Sequence, residues 1–323
     1  MPTPSIVPNK HFNEAIEADE AKNLRNAMKG FGTDEAAIIE CLLKYTIEQR
    51  CKIADTFKTA YGKDLIDDLK SELGGDFENV CVAMLTPKVL FDVRELHKSI
   101  SGAGTDESTL VEIMCSRSND EIKAIKEKYK AEYKVSLEEA LQGDTSGYFG
   151  RLMTALVQGG RDVGHVDRSR VEEDAQAIYD AGAGKLGTDE AEINSILCVR
   201  SFEHLRAVFD KYQQLSGGTS IEDAIKSETS SDLQDGFLSI VQCARDKPTY
   251  FAKRLHKAMA GLGTDDSDLI RIIVTRSEVD LEDVKHKFLE LYGKSLEEWV
   301  GSECGGDYKR MLLGLIKGNH YYK

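Results

Sequence analysis

Apolar residues recur at steps of three and four along most of the chain, the period of a helix with one buried face. The run Ala36-Ala37-Ile38-Ile39-Glu40-Cys41-Leu42-Leu43 is one example. Leu110-Val111-Glu112-Ile113-Met114 and Leu269-Ile270-Arg271-Ile272-Ile273 are its counterparts further on. Only five prolines occur, and three of them (Pro2, Pro4 and Pro8) stand at the start, so little interrupts the helices. The pattern predicts an all-α protein. A threonine followed by an aspartate precedes these runs, at Thr33, Thr105, Thr188 and Thr264. Threonine is a competent N-cap and the aspartate suits the positive end of a helix dipole, so each threonine is expected to cap a helix.

The Thr-Asp pairs belong to a longer motif. Gly-x-Gly-Thr-Asp occurs at 30–34, 102–106 and 261–265, with the variant Lys-Leu-Gly-Thr-Asp at 185–189. The last glycines are Gly32, Gly104, Gly187 and Gly263, and the interval from the second to the third is the longest. A spacing this long and this regular marks a repeat architecture, and it replaces the two domains that 323 residues alone would suggest. The repeats are placed at 14–86, 87–158, 170–246 and 247–318, each with about five helices. Residues 1–13 are expected to form a flexible N-terminal tail and 319–323 a C-terminal tail. The glycine-rich, polar stretch 159–169 absorbs most of the extra length of the second interval and reads as a linker.

The net charge of −14 changes the picture of partners. It argues against nucleic acid, whose phosphates need a basic surface, and against direct docking on anionic lipid. An anionic partner requires a cation in between. The seven cysteines are odd in number, form no Cys-x-x-Cys pair and mostly sit in apolar runs, so free buried thiols in a reducing compartment are expected. No signal peptide is visible, and no apolar run approaches the length of a membrane span, so the expectation is a cytoplasmic protein whose membrane contact is peripheral.

Each motif also has an acidic residue far downstream. Glu72, Asp144 and Glu303 lie at the same distance after Gly32, Gly104 and Gly263, and Glu228 lies one position further from Gly187. A tight turn between helices explains the glycines of any single copy, but a turn does not require a remote carboxylate. A divalent-ion site explains both. Glycines let backbone carbonyls turn inward, a hard cation such as Ca²⁺ takes six to eight oxygens, and waters or lipid phosphoryl oxygens complete the shell.

With these residues in view, the chain resembles the annexin family. The run Met28-Lys29-Gly30-Phe31-Gly32-Thr33-Asp34 is similar to that family's Lys-Gly-x-Gly-Thr loop, and the distance to the acidic residue also matches. The resemblance covers all four repeats, about residues 14–318. It implies four five-helix units forming a curved disc, with Ca²⁺ bound on its convex face and bridging to acidic phospholipid membranes. By position it implies Ca²⁺ ligands at Met28, Gly30, Gly32 and Glu72 in repeat one, and at Ile100, Gly102, Gly104 and Asp144 in repeat two. The counterparts are Gly182, Lys185, Gly187 and Glu228 in repeat three, and Met259, Gly261, Gly263 and Glu303 in repeat four. Ser101 and Ala260 replace the loop lysine, Asp144 reaches less far than a glutamate, and the loop of repeat three is longer. Three loop tips, Phe31, Leu186 and Leu262, are large and apolar where a turn would face water, and are expected to touch the membrane; the fourth is Ala103.

Enzyme signatures are absent, and an EF-hand is excluded because the carboxylates lie far from their loops. Asp92, Glu112, Arg117 and Arg271 match positions lining a hydrophilic channel in the family, but a structural ion-pair network is the favoured reading. Arg117, Arg200 and Arg276 recur in similar contexts and suggest a structural role in each repeat. Two functions are therefore set against each other. One is Ca²⁺-dependent binding to acidic phospholipid, with a role in membrane organisation or trafficking when Ca²⁺ rises. The other is an α-helical repeat scaffold for protein partners. The first leaves room for a protein partner of the N-terminal tail and for self-association on membranes.

Overall fold

A computed structural model describes residues 2–30, 32–102, 104–164, 166–182, 188–261 and 263–320. The described residues hold twenty α-helices and no strand, five helices to a repeat. Repeat one contains α1 (Glu14–Ala27), α2 (Glu35–Leu43), α3 (Ile47–Tyr61), α4 (Leu65–Glu72) and α5 (Gly75–Leu85). Repeat two contains α6 (Lys88–Ser99), α7 (Glu107–Ser116), α8 (Asn119–Tyr133), α9 (Leu137–Asp144) and α10 (Gly147–Leu156). Repeat three contains α11 (Arg168–Ala181), α12 (Glu190–Val199), α13 (Phe202–Leu215), α14 (Ile221–Glu228) and α15 (Ser231–Arg245). Repeat four contains α16 (Lys247–Met259), α17 (Asp266–Ser277), α18 (Leu281–Tyr292), α19 (Leu296–Glu303) and α20 (Gly306–Lys317).

Local chemistry sets the helix ends. Thr46 and Gln49 form a capping box at the start of α3, and Ser118 with Glu121 repeats it at α8. The third helix of repeat one stops at Gly62, whose φ of 68° is left-handed, where glycine carries no Cβ penalty. The second helix of each repeat departs from expectation at its start. The cap is the aspartate, not the threonine before it. Asp34 Oδ1 accepts from the Ala37 N–H at 3.0 Å, Asp106 from Thr109 at 3.0 Å, Asp189 from Glu192 at 3.2 Å and Asp265 from Asp268 at 3.0 Å. Both residue types cap well, and here the threonine hydroxyl is needed elsewhere.

Those second helices are the cores of their repeats. Ile38, Ile39, Cys41, Leu42 and Leu43 of α2 are all buried, as are Leu269, Ile270, Ile272 and Ile273 of α17. Burying each such leucine or isoleucine contributes roughly 1.5–3 kcal/mol. All seven cysteines are free thiols, five of them buried.

The chain divides into two compact units. One combines residues 1–91 with 251–323, hence repeats one and four; the other is residues 92–250, essentially repeats two and three. In the first unit α2 and α5 pack against α20, and α17 packs against both α5 and α20. The buried Arg50 reaches the Glu278 carboxylate at 3.0 Å, and Glu278 also accepts from the Ile47 N–H at 2.7 Å. The opening residues, expected as a flexible tail, are tied down here. The Ser5 N–H donates to Ser277 O at 2.8 Å, its hydroxyl donates to Leu315 O at 2.7 Å, and the Asn319 N–H donates to Ser5 O at 3.1 Å. Ser5 and Ile6 are fully buried. Asn319, expected to open the C-terminal tail, is buried in the same seam; 321–323 lie outside the described residues.

In the second unit α7 and α10 pack on α15, and α10 on α12. The stretch read as a linker is anchored by Arg161, whose Nη1 donates to Leu197 O at 2.8 Å and Arg200 O at 2.6 Å. Helix α11 begins at Arg168, inside that stretch, because Asp167 caps it by accepting from the Ser169 N–H at 3.0 Å. The recurrent arginines are structural. Arg117 is bound twice by Asp92 at 2.8 Å, Arg200 twice by Asp174 at 2.7 and 3.0 Å, and in the first unit Arg276 pairs with Asp280. Arg271, matched in sequence to a channel position, pairs with Asp268 in the first unit.

Candidate functional site

In each repeat the loop between the first two helices is closed by the same backbone hydrogen bond. The N–H of the capping aspartate donates back to the first helix: Asp34 to Ala27 O at 2.9 Å, Asp106 to Ser99 O at 2.9 Å, Asp189 to Ala181 O at 2.7 Å and Asp265 to Ala258 O at 2.8 Å. Between these fixed ends the glycines take backbone angles that L-residues avoid. Gly30 and Gly32 have φ of 113° and 87°, Gly102 and Gly104 of 133° and 103°, and Gly261 and Gly263 of 136° and 84°. A Cβ at any of the six would meet nothing within 4 Å, so conformation and not crowding requires glycine. Met28 and Met259 are buried, which leaves their backbone oxygens as their contribution to a site.

The four remote carboxylates share one address. Glu72, Asp144, Glu228 and Glu303 are the last residues of α4, α9, α14 and α19. That is the negative end of the helix dipole, where an anion is disfavoured by about 0.3–1 kcal/mol. In three repeats the freed loop threonine holds the carboxylate. Thr33 Oγ1 donates to Glu72 Oε2 at 3.3 Å, Thr105 to Asp144 Oδ2 at 2.6 Å and Thr188 to Glu228 Oε2 at 2.9 Å. The shorter Asp144 thus still reaches its loop. Gly182 also stands beside Glu228, since a Cβ there would lie 3.5 Å from Glu228 Cγ. Repeat four differs: the Thr264 hydroxyl donates to Asp266 at 2.9 Å instead, and Glu303 shares only a common groove with the loop. Lys185, Gly187, and the tips Phe31, Ala103, Leu186 and Leu262 lie outside the described residues.

Among the described residues no three His, Cys, Asp or Glu side chains gather as a metal cluster. An ion at these loops would take most of its ligands from backbone oxygens, with one carboxylate each. That donor set is all hard oxygen and fits Ca²⁺. No helix among the described residues is long and apolar enough to cross a membrane.

In the first unit two of these carboxylates share a larger feature. Glu72 and Glu303 line a groove of about 550 Å³ together with Glu35, Asp76, Asp266 and Asp307. The acids pair by equivalent position in repeats one and four: Glu35 with Asp266, Glu72 with Glu303, Asp76 with Asp307, each pair separated by the same length of chain. Sequence reasoning passed over Glu35, Asp76, Asp266 and Asp307. Their equal spacing was visible, but their convergence depends on repeats one and four being neighbours.

The architecture defines a class: an all-α protein of four five-helix repeats, with a left-handed glycine loop described in repeats one, two and four, and with a carboxylate from 39 or 40 residues beyond the loop threonine held by it in repeats one, two and three. A family model described as Annexin matches residues 19–84, 91–156, 173–240 and 250–315, and the chain belongs to the annexin family. Annexin A11 from Homo sapiens is 48% identical over 326 residues, covering 98% of this chain and 64% of that protein. The chain spans 60–65% of the length of the annexin A11 relatives it matches. The fold is similar to that of annexin III, with TM-score 0.94, 40% identity, and coverage of 98% of this chain and 97% of that one. A structure described as calcium-bound annexin (Sm)1 has TM-score 0.86 and 32% identity, over 98% of this chain and 93% of that one.

Proposed function

We propose that this protein binds acidic phospholipid membranes in a Ca²⁺-dependent manner. The observation that carries the reading is the hydrogen bond from loop threonine to remote carboxylate, in repeats one, two and three. It brings an acid from the end of the fourth helix against a loop of exposed backbone, at the helix end where an anion is least welcome. Membership of the annexin family and the likeness to a calcium-bound annexin support the same reading. Each Ca²⁺ takes loop carbonyls and the carboxylate, and its open positions take lipid phosphoryl oxygens. Four ions would add about eight positive charges to a chain of net charge −14, which reconciles an acidic protein with an anionic surface. The ligands are those named by position, Lys185 and Gly187 among them. Phe31, Leu186 and Leu262 would dip into the headgroup region beside the ions and add a hydrophobic contribution. The activity is binding, not catalysis, and suits a cytoplasmic protein recruited when Ca²⁺ rises, in membrane organisation or trafficking.

The test is co-sedimentation with vesicles of phosphatidylserine and phosphatidylcholine. Binding is expected with Ca²⁺ and release with chelator. Equal sedimentation in both conditions refutes the mechanism. Protein retained by partners irrespective of Ca²⁺ and lipid would favour the scaffold reading.

A further inference from the structure

The loop of repeat four shares its backbone with those of repeats one and two. Gly261 and Gly263 take the same left-handed angles, and the Asp265 N–H closes the loop on Ala258 O as its counterparts do. The difference lies in where the side chains point. In repeats one, two and three the loop threonine holds the remote carboxylate: Thr33 holds Glu72, Thr105 holds Asp144 and Thr188 holds Glu228. In repeat four Thr264 Oγ1 donates to Asp266 Oδ1 at 2.9 Å, and Glu303 accepts instead from the hydroxyl of Ser302, the residue before it, at 3.4 Å.

Two residues peculiar to repeat four account for this. Two positions beyond the loop threonine the other repeats carry Glu35, Glu107 and Glu190, and repeat four carries Asp266. The aspartate is one methylene shorter, which suits a local bond to a hydroxyl two residues back; a glutamate carries its oxygens further out. Five positions beyond the remote carboxylate the other repeats carry Phe77, Phe149 and Leu233, and repeat four carries Tyr308, which adds a hydroxyl. Tyr308 is buried. Burial first, then a hydrogen bond to Asp266 and the charge of Asp266, push the phenol pKa far above its usual range, so the hydroxyl remains a donor. Asp266 is thus engaged from two sides, by Thr264 and by Tyr308.

We propose that Asp266 is a positioning residue that sets the order of Ca²⁺ loading: by withholding Thr264 from Glu303, it makes the loop of repeat four the weaker site and the later one to fill. The proposal rests on the Ca²⁺ reading above. In repeats one to three the carboxylate is already held at its loop. In repeat four Glu303 must be ordered when the ion arrives, and ordering one such side chain weakens binding about threefold to tenfold. Attachment to a membrane then has two stages: repeats one to three engage at lower Ca²⁺, and repeat four adds its contact as Ca²⁺ rises further.

The experiment is calorimetric Ca²⁺ titration, without lipid, of full-length chains that keep one loop carboxylate. Glu72→Gln, Asp144→Asn and Glu228→Gln together leave repeat four; Asp144→Asn, Glu228→Gln and Glu303→Gln together leave repeat one. The repeat-four chain is expected to bind about threefold to tenfold more weakly. Adding Asp266→Glu, the residue type of the other repeats, should close most of that gap, and adding Tyr308→Phe should close part of it. Thr264→Val placed on top of Asp266→Glu should cancel the gain, because the gain acts through the threonine hydroxyl. Melting temperatures in chelator identify any variant whose fold has changed, and the conservative Asp266→Glu step then carries the test. Equal affinity of the two chains, no tightening by Asp266→Glu, or a tightening that survives Thr264→Val overturns the proposal alone. No Ca²⁺ heat from the parent chain overturns the membrane reading with it.

Discussion

Replacing Glu72 by glutamine separates a ligand from a structural residue. Glu72 is exposed, ends α4, and among the described residues has one side-chain partner, the Thr33 hydroxyl at 3.3 Å. It also faces the other acids of the groove. Without Ca²⁺, the change removes an anion from a helix C-terminus, a gain of about 0.3–1 kcal/mol, and weakens one exposed hydrogen bond worth about 0.5 kcal/mol. The two nearly cancel, so unfolding in chelator should shift by less than about 0.5 kcal/mol. With Ca²⁺ the balance differs. Unit charges about 4 Å apart attract by about 1 kcal/mol even in bulk water, and a divalent ion doubles that. A loss of at least about 2 kcal/mol, roughly thirtyfold in the affinity of that site, follows. Vesicle binding should shift less, because the remaining sites still act together. The assays are denaturant unfolding in chelator and Ca²⁺ titration by calorimetry and by co-sedimentation. A destabilisation beyond about 1 kcal/mol in chelator would make Glu72 a structural residue. An unchanged Ca²⁺ titration would remove it from the site.

Four further outcomes are expected. Asp106→Ala deletes a cap that accepts from the Thr109 N–H at 3.0 Å and its hydroxyl at 2.8 Å, and should cost about 1 kcal/mol in urea unfolding with an unchanged slope. Gly314→Ala would place a methyl group closer to Leu43 than two carbons can approach, where α20 meets α2, and should destabilise by about 1–3 kcal/mol; a neutral result would show that α20 shifts freely. Burial disfavours ionised Asp174, but its hydrogen bonds to Arg200 and His204 outweigh that and lower its pKa. Its stabilisation is therefore present above the ordinary carboxylate pKa, about 3.9, and lost as pH falls through the depressed value. Asp174→Asn should thus cost about 1.5–3 kcal/mol at neutral pH, with the gap to the parent closing below about pH 4. Leu186→Trp, in a Trp299→Phe background to remove the only native tryptophan, should shift its emission to the blue with vesicles and Ca²⁺ together; emission of a wet indole from bound protein would rule out insertion.

The helices were legible because their signal is local: a three-to-four-residue apolar step, a capping residue, a terminal glycine. The loops were legible as repeated elements because their motif recurs. What failed was a choice between neighbours. Thr33 and Asp34 are both good caps, and the aspartate takes the role while Thr33 faces Glu72, 39 residues further on. The opening segment misled for a related reason. Its prolines and polar residues suggested freedom, but Ser5 finds Ser277 and Leu315, 272 and 310 residues away. The groove acids were hidden by the same kind of distance. Periodicity shows which positions are equivalent, not which repeats become neighbours.

The unit formed by repeats one and four is discontinuous in the chain, with residues 92–250 intervening. This imposes an order on folding during synthesis. The middle unit is contiguous and can close as soon as it has emerged. Repeat one cannot finish: α2 and α5 wait for α17 and α20 to cover them. At about 5–20 residues per second, the intervening stretch alone takes roughly ten to thirty seconds to make. For that time buried positions such as Leu43 and Met84 stand uncovered on a nascent chain, a state prone to aggregation or chaperone capture. The opening strap at Ser5 closes only once Leu315 and Asn319 have emerged.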